Sequence, residues 1–195
     1  AREALRQRLG HALEPVWRRL YAEMAQGSYV YSPDAKGRRR LRNVALGYIA
    51  ASGAPDAAAL AFAQFETADN MTDRQGALMT LVNGLSDKRE AALDIFYHRY
   101  SDNALVLDKW FQTQALATRA DTAEAVEELA KHRDFTLANP NRARALVGAF
   151  AINQRAFHSG EGRGYRFVAD QLIALDKLNP QTAAKLVPPI GRWKR

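Results

Sequence analysis

Apolar residues recur at helical spacing along almost the whole chain. Between residues 141 and 150, the positions i, i+3, i+4 and i+7 are apolar, which predicts a helix with one buried stripe: Ala143, Leu146, Val147 and Phe150. The first 25 residues carry a similar series: Leu5, Leu9, Leu13 and Trp17. Pro15 lies inside that series and is expected to kink or divide the helix, because proline lacks the N–H that the helical ladder needs. Strand-like alternation of useful length does not occur, so the pattern predicts an all-α protein.

Helix-start signals follow one another about every 14 to 20 residues, an interval that fits one helix and one turn. The signals are pairs of residues typical of caps or first turns: Pro55-Asp56, Thr72-Asp73, Ser86-Asp87, Ser101-Asp102, Asp121-Thr122 and Asn139-Pro140. Thr72, Asp87 and Asp121 are each followed three residues later by Gln or Glu, which predicts capping boxes. After the Asn139 helix, Gly160, Gly162 and Gly164 predict a sharp turn, and the next helix is expected to begin near Tyr165.

Two successive helices and their turns span about 31 to 37 residues, the length of an α-hairpin repeat. We therefore predict an α-solenoid-like superhelix of stacked antiparallel helix pairs, of the HEAT or armadillo type, with about 9 to 11 helices. A closed four-helix bundle fits this interval less well. The predicted organisation is a single helical domain over 1–195, with leading helices in 1–26, a loop in 27–37 and the helical-repeat array in 38–195.

Composition and charge narrow the class of protein. The 195 residues, 47% of them hydrophobic, are sufficient for a sizeable core, and the absence of cysteine excludes disulfides, thiolate metal sites and thiol catalysis. No apolar run is long enough for a membrane span, so we expect a cytoplasmic protein that makes no membrane contact.

The net charge of +7 is concentrated partly at Arg38 to Arg40 and Arg42. Without a nucleic-acid-binding motif beside it, such a cluster is typical of a solvated helix face, and we do not expect nucleic acid as a partner.

Catalytic motifs are missing from the sequence. None of the four histidines has a second histidine three to five residues away, and H-E-x-x-H does not occur. Neither a G-x-S-x-G nucleophile elbow nor a phosphate-binding glycine loop is present. The sequence thus assigns no catalytic residue and no metal ligand. Taken from the residues alone, a curved helical array of this kind is expected to work through its surface, by binding a peptide or another domain.

Eight short phrases resemble, in order and spacing, the C-terminal helical domain of bacterial alanyl aminopeptidase, the aminopeptidase N family of gluzincin zinc aminopeptidases. The phrases are Asn70-Met71-Thr72-Asp73, Leu107-Asp108-Lys109-Trp110-Phe111, His132-Arg133-x-Phe135-Thr136, Asn139-Pro140-Asn141-Arg142, Gly148-Ala149-Phe150, Ala156-Phe157-His158, Gly162-x-Gly164-Tyr165 and Asn179-Pro180-Gln181. The resemblance covers about Arg38 to Arg192. It is strongest from Asn70 onward.

The resemblance implies that this chain is a fragment of a larger enzyme that removes N-terminal residues from peptides. In that family an earlier catalytic domain holds the zinc through H-E-x-x-H and a further glutamate, so this chain is expected to have no cofactor and no peptidase activity of its own. The implied role of the C-terminal domain is to cover the active-site cavity and restrict access to small peptides. The implied partners are the catalytic and other domains of the same polypeptide, and peptide substrates.

The resemblance also points to two substrate-channel residues. In the family, the segment that begins Asn179-Pro180-Gln181 comes close to the bound peptide, which implies roles for Gln181 and Lys185. Arginine is expected at the second position, and Lys185 keeps the charge but lacks the planar fork of a guanidinium. Tyr29, Tyr31 and Trp193 are candidates for contacts with other domains.

Two alternatives stay open at this point. The first is a free-standing HEAT-like scaffold that binds protein partners, and the second, less favoured, is a helical-repeat protein that binds nucleic acid.

Overall fold

A computed structural model describes residues 2–25, 27–158 and 162–192 of the chain. Over these residues the regular secondary structure is entirely helical. The helices are α1 Arg2–Ala12, α2 Glu14–Glu23, α3 Pro33–Ala51, α4 Ala57–Thr67, α5 Met71–Val82, α6 Lys88–Tyr100, α7 Ala104–Ala115, α8 Thr122–Leu129, α9 Pro140–Ala143, a π turn Arg144–Gly148, α10 Ala149–Ala151, α11 Arg163–Asp176, α12 Pro180–Leu186 and a 3₁₀ turn Ile190–Arg192.

The predicted all-α class is confirmed by these helices. α9, the π turn and α10 follow one another without a break, so they form one helix of residues 140–151. Counted in this way, the described residues contain eleven helices besides the 3₁₀ turn, at the upper end of the predicted number.

Packing divides the chain into two compact units, Ala1–Ile95 and Phe96–Arg195. The division falls inside α6 and within the stretch that the sequence suggested as one domain over 1–195.

In the first unit, the leading helices separate at Leu13, two residues before Pro15, as the sequence predicts. Trp17 of α2 stacks on Tyr48 of α3, with ring centroids 4.3 Å apart and planes 7° from parallel. The core of this unit is made of large apolar side chains that are fully buried: Leu46, Ile49, Phe65, Leu78 and Val82.

The loop predicted over 27–37 is too long. α3 begins at Pro33, where Ser32 Oγ accepts a hydrogen bond from Ala35 N at 3.1 Å and proline occupies the first helical position. A serine cap followed by proline is a strong start signal, because both satisfy the N–H groups that a helix leaves unpaired. Gly37 therefore lies inside a helix, and the helical array begins at 33 rather than 38.

Two of the predicted caps are displaced. α5 is capped by Asn70 and not by Thr72, since Asn70 Oδ1 accepts from Asp73 N at 2.9 Å. α7 is capped by Asn103 rather than Ser101. At α8, Asp121 makes no side-chain capping bond, so the predicted box with Glu124 is wrong. In each case the pattern finds the helix. At α5 and α7 an asparagine two residues from the predicted cap makes the capping bond, and at α8 Asp121 forms an ion pair with Arg119 instead.

In the second unit, the helix of residues 140–151 is central. Its predicted stripe is confirmed, because Ala143, Leu146, Val147 and Phe150 are all fully buried. The start signal is also confirmed, with Asn139 Oδ1 accepting from Asn141 N at 2.9 Å.

Two glycines lie at the start of α11, and the structure requires each of them for a different reason. Gly162 is the residue before the helix and has φ +76°, a left-handed conformation that favours glycine. Gly164 lies against the backbone carbonyl of Phe157, where an added Cβ would overlap the oxygen. The helix begins at Arg163, close to the predicted Tyr165.

None of the helices that the structure describes combines the length and the apolar character needed to cross a bilayer.

Candidate functional site

α12 carries both residues that the sequence singled out. Gln181 and Lys185 are exposed and four residues apart, so they lie on the same face of the helix. Asn179 fixes the start of this helix, because its Oδ1 accepts from Thr182 N at 2.9 Å, and Pro180 occupies the first helical position. The structure thus brings the amide of Gln181 and the ammonium of Lys185 to one solvent-facing surface.

The opposite face of α12 is buried against α11 and the π turn. Leu186 is 7% exposed, and its Cδ2 lies 3.0 Å from where a Cβ on Gly148 would be. Gly148 ends the π turn, so the absence of a side chain there permits the close approach of Leu186. This packing determines which face of α12 is presented to solvent.

The arrangement on α12 is suited to binding and offers no acid–base pair. Gln181 has both a donor and an acceptor group for peptide amides, and Lys185 has an ammonium that attracts a carboxylate or carbonyl oxygen. Within the described ranges, no group of three His, Asp or Glu side chains is arranged to hold a metal ion.

The candidate interface residues of the first unit are exposed. Tyr31 is 87% exposed and Tyr29 is 48% exposed. The backbone N–H of Tyr29 donates to Asp69 Oδ2 at 2.7 Å, which ties this segment to the start of α5. Trp193 lies outside the described residues.

The arginine cluster of α3 is not a single solvated face. Arg40 is exposed, but Arg39 is buried and Arg42 is partly buried. The Arg39 guanidinium lies over the ring of Tyr29 at 4.8 Å, and the Arg42 guanidinium over the ring of Tyr21 at 4.7 Å. Sequence reasoning missed this, because a run of four arginines in five positions looks exposed whichever way the helix is turned.

A polar network joins α3, α4 and α5 beside these arginines. Asp73 is buried, and its Oδ1 accepts from Asn43 Nδ2 at 3.1 Å. Gln64 Nε2 donates to Asn43 Oδ1 at 2.7 Å and to Asp73 O at 3.0 Å. The sequence signals this network only through the phrase that begins at Asn70, which predicts a helix start and forms part of the family resemblance.

In the second unit, a buried arginine occupies a position that the helical pattern placed off the apolar stripe. Arg142 is 5% exposed and forms an ion pair with Asp108, donates to the carbonyl oxygen of Asp134 and lies 4.9 Å over the ring of Phe111. All of its surroundings come from other parts of the chain, so no local pattern could have revealed them.

His132 lies in the same cluster, against the rings of Tyr97, Trp110 and Phe111. Its Nδ1 accepts from Asp134 N at 3.2 Å, which assigns the neutral tautomer with the proton on Nε2. Burial lowers the pKa of His132 below its usual value, and the Asp134 carboxylate opposes this shift more weakly. The contacts are those of a structural histidine.

His158 and Tyr165 lie on either side, in sequence, of the predicted glycine turn, whose Gly160 lies outside the described residues. His158 Nδ1 lies 2.6 Å from Tyr165 Oη, a hydrogen-bond distance.

Comparison with known proteins matches the chain to the family DUF3458_C, described as a domain of unknown function with ARM repeats, over residues 1–195. This description agrees with the predicted solenoid-like class of helical repeats.

Two aminopeptidases N are similar along the full length of the chain. The protein of Caulobacter vibrioides is 42% identical over 197 residues, and that of Escherichia coli is 38% identical over 195 residues. The chain is covered completely in both cases but spans only 23% and 22% of these relatives.

A solved structure shares the fold. The aminopeptidase A of Legionella pneumophila, determined in complex with aspartic acid, superposes with a TM-score of 0.85 at 33% identity. The match covers 95% of this chain and 23% of that protein.

Proposed function

The chain belongs to the DUF3458_C family of ARM-repeat domains and corresponds to the C-terminal domain of aminopeptidase N. We propose that it is part of a zinc aminopeptidase that releases N-terminal amino acids from peptides. In this proposal the domain covers the active-site cavity, restricts the entry of substrates and lines the peptide channel. The parent enzyme is proposed to be cytoplasmic.

The observation that carries the proposal is the match along the whole chain to aminopeptidases N of which it is less than a quarter. The identity of 38% to 42% along the whole chain, and the shared fold at 33% identity over 95% of it, support a role as a part of such an enzyme.

The described residues do not fit a zinc site, because they hold no cluster of three possible ligands. We therefore assign the zinc to the catalytic domain of the parent polypeptide, and no chemical step to this chain. What this chain contributes is binding and exclusion.

Gln181 and Lys185 are the residues proposed to face the peptide. Their side chains are exposed, while the buried face of α12 holds the helix in place through Thr182, Ala183 and Leu186. A single ammonium without the fork of arginine attracts a carboxylate but orients it weakly. Lys185 is thus expected to strengthen peptide binding more than it selects a geometry.

The test is a kinetic comparison in the full-length parent enzyme. Lys185→Ala is expected to raise KM about fivefold to tenfold for a tripeptide with a free C-terminus, roughly 1 kcal/mol, with kcat nearly unchanged, because an interaction made equally in the ground and transition states is removed. A short chromogenic alanyl substrate, which does not extend along the channel, is expected to keep its KM. Lys185→Arg should lower KM for the tripeptide.

Lys177→Ala is the matched control, since Lys177 is another exposed lysine of the second unit, at the end of α11. The channel assignment fails if Lys177→Ala and Lys185→Ala change the KM values of the two substrates by the same factors. The aminopeptidase proposal itself fails if the full-length parent enzyme hydrolyses neither substrate.

A further inference from the structure

The first unit contains a polar pocket of about 370 Å³. Its lining includes two arginines of α3, a glutamine of α4 and two aspartates at the start of α5: Arg39, Arg42, Gln64, Asp69 and Asp73. A cavity of this size is within the range of small-molecule sites, about 300 to 1,000 Å³, and this one has both signs of charge in its wall.

Among the described residues, Arg42 has no anionic partner. Its guanidinium lies over the ring of Tyr21, and Nη2 donates to Tyr21 Oη over a long distance of 3.4 Å. Its Nε is buried without an acceptor, and no carboxylate of the described residues forms an ion pair with it. A partly buried guanidinium with one weak hydrogen bond is poorly compensated, so a carboxylate placed in the pocket would supply the partner that it lacks.

Gln64 lacks a donor for its oxygen. The side chain is 3% exposed, and Nε2 is fixed by two acceptors, Asn43 Oδ1 and the carbonyl oxygen of Asp73. These two bonds determine which end of the amide is nitrogen, and Oε1 is buried without a partner. This oxygen is closed to solvent, so Gln64 shapes the wall of the pocket and its oxygen is not a contact for a ligand.

Asp69 adds a negative charge at the exposed edge of the pocket. Its carboxylate accepts from Asn70 Nδ2 at 3.0 Å and from Tyr29 N at 2.7 Å. These hydrogen bonds lower the pKa of Asp69, so it is ionised at neutral pH. Together with Asp73, it disfavours a second negative charge on a ligand and favours an ammonium group on it.

We propose that this pocket binds a free α-amino acid as its zwitterion. The carboxylate lies toward Arg42, the ammonium lies toward Asp69, and the side chain lies against Met24, Ala68 and the ring of Tyr29, which also line the pocket. The proposal concerns binding by this chain alone, so it stands or falls separately from the aminopeptidase proposal.

The experiment is calorimetric titration of the 195-residue chain with L-methionine, N-acetyl-L-methionine and L-methioninamide. The free amino acid is expected to bind with a Kd of about 1 mM or tighter, and each blocked form at least about tenfold more weakly, because each lacks one of the two charges. Absence of binding by L-methionine at about 20 mM, or equal binding of the three compounds, would overturn the proposal.

Two variants locate the site. Arg42→Gln removes the guanidinium, and Asp69→Asn removes the negative charge while its amide oxygen still accepts from Tyr29 N. Both are expected to weaken L-methionine binding about tenfold. Arg40→Gln is the control, since Arg40 is exposed on the same helix and does not line the pocket. Unchanged affinity in both pocket variants, or the same loss in the control, would contradict the assignment. Circular dichroism melting shows whether each variant is folded, and the exposed Asp69 variant keeps the test valid if Arg42→Gln unfolds.

Discussion

Two arginines that leave solvent on folding differ in how their charge is compensated. Arg142 of the second unit has an ion pair with Asp108, a backbone acceptor at Asp134 and an aromatic ring beneath its guanidinium. Arg42 of the first unit has an aromatic ring and one long hydrogen bond. The charge of Arg142 is thus compensated within the fold, while the guanidinium of Arg42 can still bind an anion.

The difference separates a structural charge from one available for binding. Breaking a compensated buried pair leaves the other charge stranded, whereas removing an uncompensated charge removes an unfavourable burial as well as a weak contact. Disturbing Arg142 or its partner is therefore expected to cost much stability and removing Arg42 little, and the urea-denaturation predictions below test that contrast.

The largest effect is expected from Asp108→Ala, which leaves the Arg142 guanidinium buried and unpaired. We expect a loss of about 3 to 5 kcal/mol in the free energy of unfolding, measured by urea denaturation. Asp170→Ala, an exposed position on α11, is the control and should change it by no more than about 0.5 kcal/mol.

The double variant Asp108→Leu with Arg142→Met sharpens this prediction. Because both charges are removed together, most of the lost stability should return. If the double variant is as unstable as Asp108→Ala, the contribution of this pair lies in packing and not in charge compensation.

A smaller effect is expected from Arg42→Met. Its loss should stay below about 1 kcal/mol, because only the contact with Tyr21 and one long hydrogen bond disappear. Arg142→Met alone, which strands Asp108, should cost several times more in the same urea measurement. Equal losses for the two methionine variants would end the distinction between the two arginines.

The smallest effect is a pH dependence from His132. Since burial lowers its folded pKa below the usual 6.5, the unfolded chain binds the proton more tightly. Its contribution to stability is therefore complete above pH 6.5 and is lost as the pH falls from 6.5 through the folded pKa. Asp134, whose pKa is lowered mainly by the Tyr97 hydroxyl, loses its contribution only below its usual 3.8.

The measurement is the free energy of unfolding at pH 7.5 and pH 5.5 for the unmodified chain and for His132→Gln. The variant should lose less stability between these two values, while His11→Gln, at an exposed position of α1, should behave like the unmodified chain. An identical pH dependence in all three would show that His132 does not titrate differently in the folded state.

Much of the fold could be predicted from the sequence because helices depend on neighbours three and four residues apart. The stripe from Ala143 to Phe150, the division before Pro15 and the cap at Asn139 are all local, and all three are confirmed. The start of α3 at Pro33 is also determined locally, by a serine cap followed by proline, so the sequence contained the signal that shortens the loop.

Gln181 and Lys185 were singled out by the resemblance to a family and not by a pattern of their own, and the structure places them on one exposed face. Their role toward a peptide remains a prediction, because it depends on surfaces that belong to the rest of the parent protein.

The sequence by itself determined the helices, their approximate ends and the family. Only the tertiary structure decided which polar side chains are buried and what surrounds them. Arg40 and Arg42 are two positions apart in one helix, yet one is solvated and the other lies in a pocket, because helices brought in from distant parts of the chain cover one side of α3 and not the other. The environment of a charge is set by residues 20 to 40 positions away, such as Tyr21 for Arg42 and Asp108 for Arg142, and no local spacing encodes it.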